Sequence, residues 1–197
     1  MFGGTFDPVH VGHLVAAVNA RHACALARVL LVVANRPWQK QERDVTPAEQ
    51  RLALGEAAVE GSPGLEASRL EIDRGGDTYT ADTLEALAAE DPERELFLIV
   101  GGDVAAELGS WRRVEVVRRL ATLVVVSRPG APEAGSASGP AAGPGPGWRV
   151  TRVEIPLLDL SGSDLRARAA KGLPLDHLVP AGAIDRIHAL NLYAGGR

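Results

Sequence analysis

Runs of β-branched and aliphatic residues alternate along this chain with stretches whose apolar residues fall at helical spacing. Arg28 to Ala34 (RVLLVVA) is a continuous apolar run, as expected of a strand buried on both faces. Glu95 to Val100 (ELFLIV) and Thr122 to Ser127 (TLVVVS) read the same way, and Arg149 to Ile155 alternates like a strand. Met1-Phe2 is the stub of a first strand, and Ala67 to Ile72 is expected to be a third. Helices are expected over His13 to Leu26, Thr80 to Ala89, Val114 to Leu120, Ser163 to Lys171 and Ala181 to Leu192. Another opens at Thr46-Pro47-Ala48-Glu49, read as a capping box, and runs to about Glu60. Strands that alternate with helices lie parallel and are joined by right-handed crossovers. The expectation is an α/β fold, a Rossmann-like doubly wound and mainly parallel sheet flanked by helices.

With 197 residues, 46% of them hydrophobic and 23% charged, the chain suits one soluble domain over 1–197 with a proper core. Gly130 to Gly147 is nearly all Gly, Ala, Pro and Ser, so 130–147 is expected to be a disordered surface loop. No apolar run is long enough to span a bilayer, and no basic region with an apolar run opens the chain. The cytoplasm is the expected compartment, with no membrane partner. Cys24 stands alone, which excludes an internal disulfide and a CxxC metal pair. A net charge of −4 gives no field to recruit nucleic acid. The cations are nearly all arginine; lysine occurs only at Lys40 and Lys171, which singles out Lys40. Self-association is left open.

Gly3 to His13 (GGTFDPVHVGH) reads as one device for holding phosphates. Gly3 and Gly4 let the main chain approach a ligand closely, Thr5 adds a hydroxyl, and Asp7-Pro8 shapes a turn. His10 and His13 then fall where a helix begins, and a helix N-terminus attracts anions through its free amides and dipole. No acidic third ligand accompanies the two histidines at helical spacing, so a protein-bound zinc is not expected.

In open parallel sheets, ligands bind beyond the carboxyl ends of the strands where the strand order reverses. Here the reversal is expected between strand one, which runs into Gly3-Gly4-Thr5, and strand four, which runs into Gly101-Gly102-Asp103. Asp103 is placed either to accept bonds from ribose hydroxyls or to cap the helix that follows. Near the other end, Leu160-Ser161-Gly162-Ser163-Asp164-Leu165-Arg166 sets serines before a helix and an arginine one turn on. Arg166 can pair a phosphate in two-pronged fashion, with Ser163 and the helix amides completing a cradle. Read alone, the segment favours a plain serine cap and a solvated arginine.

The elements GGTFDPVHVGH, PWQK (Pro37 to Lys40), DTYTADTL (Asp77 to Leu84), GGD, Ser110-Trp111 and SGSDLR occur in an order that resembles bacterial nicotinate-nucleotide adenylyltransferases. The first and last alone specify only the nucleotidyltransferase superfamily; the Pro-x-x-Lys, Tyr-Thr and Ser-Trp elements narrow it. The resemblance implies transfer of the adenylyl group of ATP to nicotinate mononucleotide, with release of pyrophosphate, in NAD biosynthesis. Mg²⁺ is expected as a passenger on the ATP phosphates, keeping most of its waters. By the same resemblance, His10, His13 and Arg166 stabilise charge on the phosphates. Gly3, Gly4, Thr5, Phe6, Gly101, Asp103 and Ser163 join them around ATP. Lys40 reaches the mononucleotide phosphate, the Tyr79-Thr80 turn holds the pyridine carboxylate, and Trp111 stacks on the ring. Trp38 either covers the substrate or packs its loop, and Thr80 is also placed to cap its helix. Rival readings are a sibling that uses nicotinamide mononucleotide or phosphopantetheine, and a nucleotide-binding protein without turnover. Family members carry several apolar residues before the first glycine, where this chain has Met1 and Phe2. The central strand is therefore expected to leave its neighbours under-paired.

Overall fold

Six parallel strands form the frame of the molecule in a computed structural model that describes residues 1–37, 45–127, 145–156 and 158–195. Strands β1 (Phe2–Gly4), β2 (Val29–Val33) and β3 (Leu65–Ser68) make one set, with β2 in the middle. Strands β4 (Leu96–Gly101), β5 (Ala121–Ser127) and β6 (Val150–Glu154) make the other, with β5 in the middle. Met1 joins them: its amino group donates to the Phe97 carbonyl, and its carbonyl accepts the Ile99 N–H at 2.9 Å. The order across the molecule is β3-β2-β1-β4-β5-β6, so the reversal lies between β1 and β4, as the sequence predicts.

The pleat explains why these runs read as continuously apolar. Leu31, Val33, Ile99, Val124 and Val126 face one core, beneath α1 (Val11–Ala23), α2 (Ala48–Val59), α7 (Gly162–Ala170) and α8 (Ala181–Ala189). Their neighbours Val32, Leu98, Val100, Leu123 and Val125 face the other, beneath α4 (Thr80–Glu90) and α6 (Val114–Leu120). Successive side chains point to opposite faces, so a strand covered by helices on both sides must be apolar at every position.

Three local expectations change. The third strand stops at Ser68, because β2 is its only partner among the described residues and their pairing ends with Val32↔Ser68. The Ser68 hydroxyl then accepts the Leu70 N–H at 3.4 Å, and Leu70–Arg74 coils into a short helix, α3, that turns Glu71 inward. At α2 there is no capping box: Pro47 is the N-cap and no side chain caps the helix. The Thr46 main chain is engaged instead, its N–H donating to Asp7 Oδ2 at 3.3 Å and its carbonyl accepting Arg51 Nε at 2.7 Å. At α4, Tyr79 is the N-cap and Thr80 the first helical residue, so Thr80 does not cap.

Strand β1 is short but paired on both sides, with Phe2↔Leu31, Gly3↔Val32 and Gly4↔Val33 toward β2 and the Met1 bonds toward β4. Below Met1 lies a cavity of about 500 Å³ lined by Leu26, Leu30, Leu87, Leu96 and Phe97, among others. The Gly/Pro-rich segment expected as a loop falls mostly on 128–144, outside the described residues. Among the described residues, no helix is long and apolar enough to cross a membrane.

Candidate active site at the β1–β4 reversal

The turn after β1 is held by side chains from all over the chain. Gly4 is required by close approach: a Cβ there would stand 2.8 Å from the Phe6 ring. Phe6 takes a left-handed φ of 50°, which folds its ring back over Gly4 and buries it. Its side chain is thus core, and it does not line the cavity described below. The Asp7-Pro8 peptide bond is cis. Arg51, only 1% exposed, gathers three carbonyls from around this turn: Thr46 through Nε (2.7 Å), Thr5 through Nη1 (2.8 Å) and Asn35 through Nη2 (3.1 Å). Burial pulls its guanidinium below its ordinary range, while the Asp7 charge acts the other way.

The two histidines meet, but they are not equivalent. Their rings stack with centroids 3.7 Å apart, and the Phe6 ring stands edge-on to His13 at 5.0 Å. His13 Nδ1 accepts the His10 backbone N–H at 3.1 Å, so the proton of the neutral ring lies on Nε2. His10 is 7% exposed, its Nδ1 is buried without a partner among the described residues, and burial lowers its pKa to about 4. It is neutral near pH 7, while half-buried His13 is the ring nearer the surface. The α1 N-terminus is also partly engaged, since the Val11 N–H donates to the Leu178 carbonyl at 3.0 Å.

A stability signature follows from His10. Its folded pKa lies below the ordinary 6.5, so the unfolded chain binds a proton that the native state resists. Stability is therefore expected to fall as pH drops from about 6.5 to about 4, by up to about 3 kcal/mol from this group. Urea midpoints measured across that window should fall less steeply for His10→Gln; parallel curves for the two proteins would contradict the assignment.

Helix α7 brings the late motif to the same turn. Ser161 caps it, its Oγ accepting the Asp164 N–H at 3.1 Å. Gly162 lies against the Asp7 carbonyl, where a Cβ would approach to 2.7 Å. Arg166 donates to that same carbonyl through Nη1 (2.6 Å) and to Ser163 Oγ through Nη2 (3.2 Å). The arginine and serine thus sit together beside the histidine turn.

A cavity of about 200 Å³ opens at the ends of β1 and β4. Gly3, Gly4, Thr5 and Gly101 line it together with Tyr79, Thr80 and Trp111, which joins the two glycine turns to both expected pyridine elements. The half-buried Trp111 indole lines it while packing on the second core, and its Nε1 is buried without a partner among the described residues. The Tyr79-Thr80 turn is strapped to the end of β2: Thr78 Oγ1 accepts the Asn35 N–H at 3.1 Å, and the Thr78 N–H donates to the Arg36 carbonyl at 3.2 Å. Asp103 does not line this cavity; it lies exposed in the first turn of α5 (Gly102–Glu107), where Gly101 is the N-cap and no side chain caps. Trp38 and Lys40 lie outside the described residues.

The family model for cytidylyltransferase-like proteins matches residues 1–168. A probable nicotinate-nucleotide adenylyltransferase of Corynebacterium kroppenstedtii is 44% identical over 193 residues, spanning 98% of this chain and 89% of its own. One from Streptomyces coelicolor is 43% identical over 195 residues, spanning 98% and 99%. The chain belongs to the nicotinate-nucleotide adenylyltransferases. Its fold is shared with a Plasmodium falciparum nicotinic acid mononucleotide adenylyltransferase solved in complex with NaAD. That likeness has a TM-score of 0.74 at 18% identity and covers 98% of this chain and 95% of that one.

Four residues of this adenylyltransferase escape a reading of the sequence. Arg51 follows Glu49 and Gln50 in the first turns of α2, and nothing local says that it points inward. Glu71 is 2% exposed on the cavity wall, where Thr83 Oγ1 donates to it at 2.6 Å and burial raises its pKa. Reading its segment as strand hid it. Arg112 lines the cavity with its guanidinium 4.6 Å from the Tyr79 ring centroid. Tyr193 reaches Asp7 from the far end of the chain.

Proposed function

We propose that this chain transfers the adenylyl group of ATP to nicotinate mononucleotide, giving nicotinate adenine dinucleotide and pyrophosphate. The observation that carries the reading is the single cavity in which both glycine turns face Tyr79, Thr80 and Trp111. A phosphate oxygen of the mononucleotide attacks the α-phosphorus of ATP in line; the new P–O bond forms as the bond to the β-phosphate oxygen breaks, and pyrophosphate leaves with that electron pair. The nucleophile is already ionised, so the protein's work is positioning and charge neutralisation. His13 donates from Nε2, His10 backs it as a neutral ring, and Arg166 with Ser163 takes a phosphate. Lys40 serves the mononucleotide phosphate and Asp103 the ribose. Mg²⁺ enters as part of the ATP complex and offsets phosphate charge.

The acceptor is the acid rather than the amide. A carboxylate only accepts hydrogen bonds, whereas an amide would bring an N–H₂ to face donors unpaired. The Tyr79-Thr80 turn opens α4, with backbone N–H groups and a positive dipole end, and Arg112 adds a cation on the cavity wall. The acid is therefore expected to be preferred at least about tenfold in kcat/KM, on the order of 1.4 kcal/mol. Trp111→Ala should weaken both substrates together, while Arg112→Gln should narrow the gap. The test is incubation with ATP, Mg²⁺ and either mononucleotide, reading pyrophosphate release and the mass of the dinucleotide. Equal use of acid and amide would refute the carboxylate site; no dinucleotide from either would refute the activity.

A further inference from the structure

The Tyr193 hydroxyl donates to Asp7 Oδ1 at 2.6 Å, across 186 positions of sequence. Asp7 is 9% exposed, and its other oxygen, Oδ2, accepts the Thr46 N–H at 3.3 Å. The carboxylate is thus turned into the protein. Arg166 lies beside it: Nη1 is 2.6 Å from the Asp7 carbonyl oxygen but 3.9 Å from Oδ2, a contact too long for a hydrogen bond. The guanidinium remains one-third exposed. We propose that Tyr193 is a positioning residue for the transfer, whose hydroxyl holds the Asp7 carboxylate off Arg166 and so keeps the guanidinium for the ATP phosphates.

Two donors compete for one buried charge, and the proposal rests on the phosphate role given to Arg166 above. A buried carboxylate oxygen that loses its donor is costly and takes the nearest alternative. Here a ready alternative is Arg166, whose Nη1 already lies 3.9 Å from Oδ2 and whose fork suits a carboxylate. Such a pair would draw the arginine inward and away from an incoming phosphate. Burial and the bond to Asp7 both hold the Tyr193 phenol above its ordinary pKa, so it stays a donor throughout the working range. Tyr193 itself sits at a left-handed φ of 59°, beyond α8, an arrangement that brings the hydroxyl back to the turn.

The test is a double-mutant cycle read by calorimetric binding of ATP with Mg²⁺ and by steady-state kinetics. Tyr193→Phe is expected to weaken ATP binding about tenfold and to raise KM for ATP, with KM for nicotinate mononucleotide within about twofold of wild type. In an Arg166→Gln background, the same change should have almost no further effect on ATP binding. Adding Asp7→Asn to Tyr193→Phe should restore most of the ATP affinity, because a neutral amide has no charge with which to capture the guanidinium. Additive losses in the cycle, equal rises in both KM values, or no recovery with Asp7→Asn would each overturn the proposal. If Tyr193→Phe does not fold, the comparison of Asp7→Asn/Tyr193→Phe with wild type still decides it: near-normal ATP affinity supports it and a tenfold loss sinks it. The binding measurements do not depend on the acceptor, so failure of the proposed activity would show separately, as wild type binding ATP without forming dinucleotide.

Discussion

His13→Ala is expected to lower kcat by roughly a hundredfold or more while ATP affinity changes only a few-fold. The reason lies in how the ring is held. Its Nδ1 is committed to the His10 backbone N–H at 3.1 Å, which leaves Nε2 as the donor. The stacked His10 ring and the Phe6 edge then fix its orientation. A donor fixed before the reaction stabilises charge that develops in the transition state without reorganising, which is where such groups act most strongly. A bound ground state gains much less from it, so KM should move little. Pyrophosphate release under saturating substrates, with ATP binding measured in parallel, separates the two effects. A His13→Ala enzyme with near-normal kcat would remove His13 from the chemistry.

The second large effect is expected at Arg51, which touches no substrate in this reading. Arg51→Met leaves the carbonyls of Thr5, Thr46 and Asn35 without their donor in a buried setting. Each orphaned acceptor costs about 1–3 kcal/mol, part of which returns when the buried guanidinium no longer has to be desolvated. A net loss of about 3–5 kcal/mol is expected, or roughly 6–20 °C in melting temperature for a chain of this size. Activity should fall with it, since Thr5 belongs to the glycine turn and Thr46 also steadies Asp7. Arg51→Lys should recover little, because one ammonium cannot serve three carbonyls spread around a planar fork. Thermal melting followed by circular dichroism checks this, and a shift of less than about 2 °C would show that these segments hold together without it.

The sheet was legible because its rule is local. A strand covered on both faces must be apolar throughout, so RVLLVVA, ELFLIV and TLVVVS announce themselves without knowledge of their neighbours. The place of the site was legible for a related reason: a glycine turn ending a strand marks a close backbone approach, and the β1–β4 reversal follows from the order of crossovers. Boundaries were less so. The end of β3 depends on where its partner stops, and the start of α4 on which residue the end of β2 straps down, neither of which is written in the segment itself.

What the sequence determined by itself, then, is the layered α/β frame, the two glycine turns, and residue types suited to a phosphate at His10, His13, Ser163 and Arg166. Tertiary structure alone decided how those residues differ. It buried His10 and left His13 nearer the surface, it turned Arg51 inward among three carbonyls, and it set Tyr193 against Asp7. The physical reason is common to all of them. Hydrophobic patterning depends on each residue's own affinity for water, which any short window of sequence displays. A buried charge or hydroxyl is tolerated only where a partner awaits it, and those partners come from segments that only the folded chain brings together.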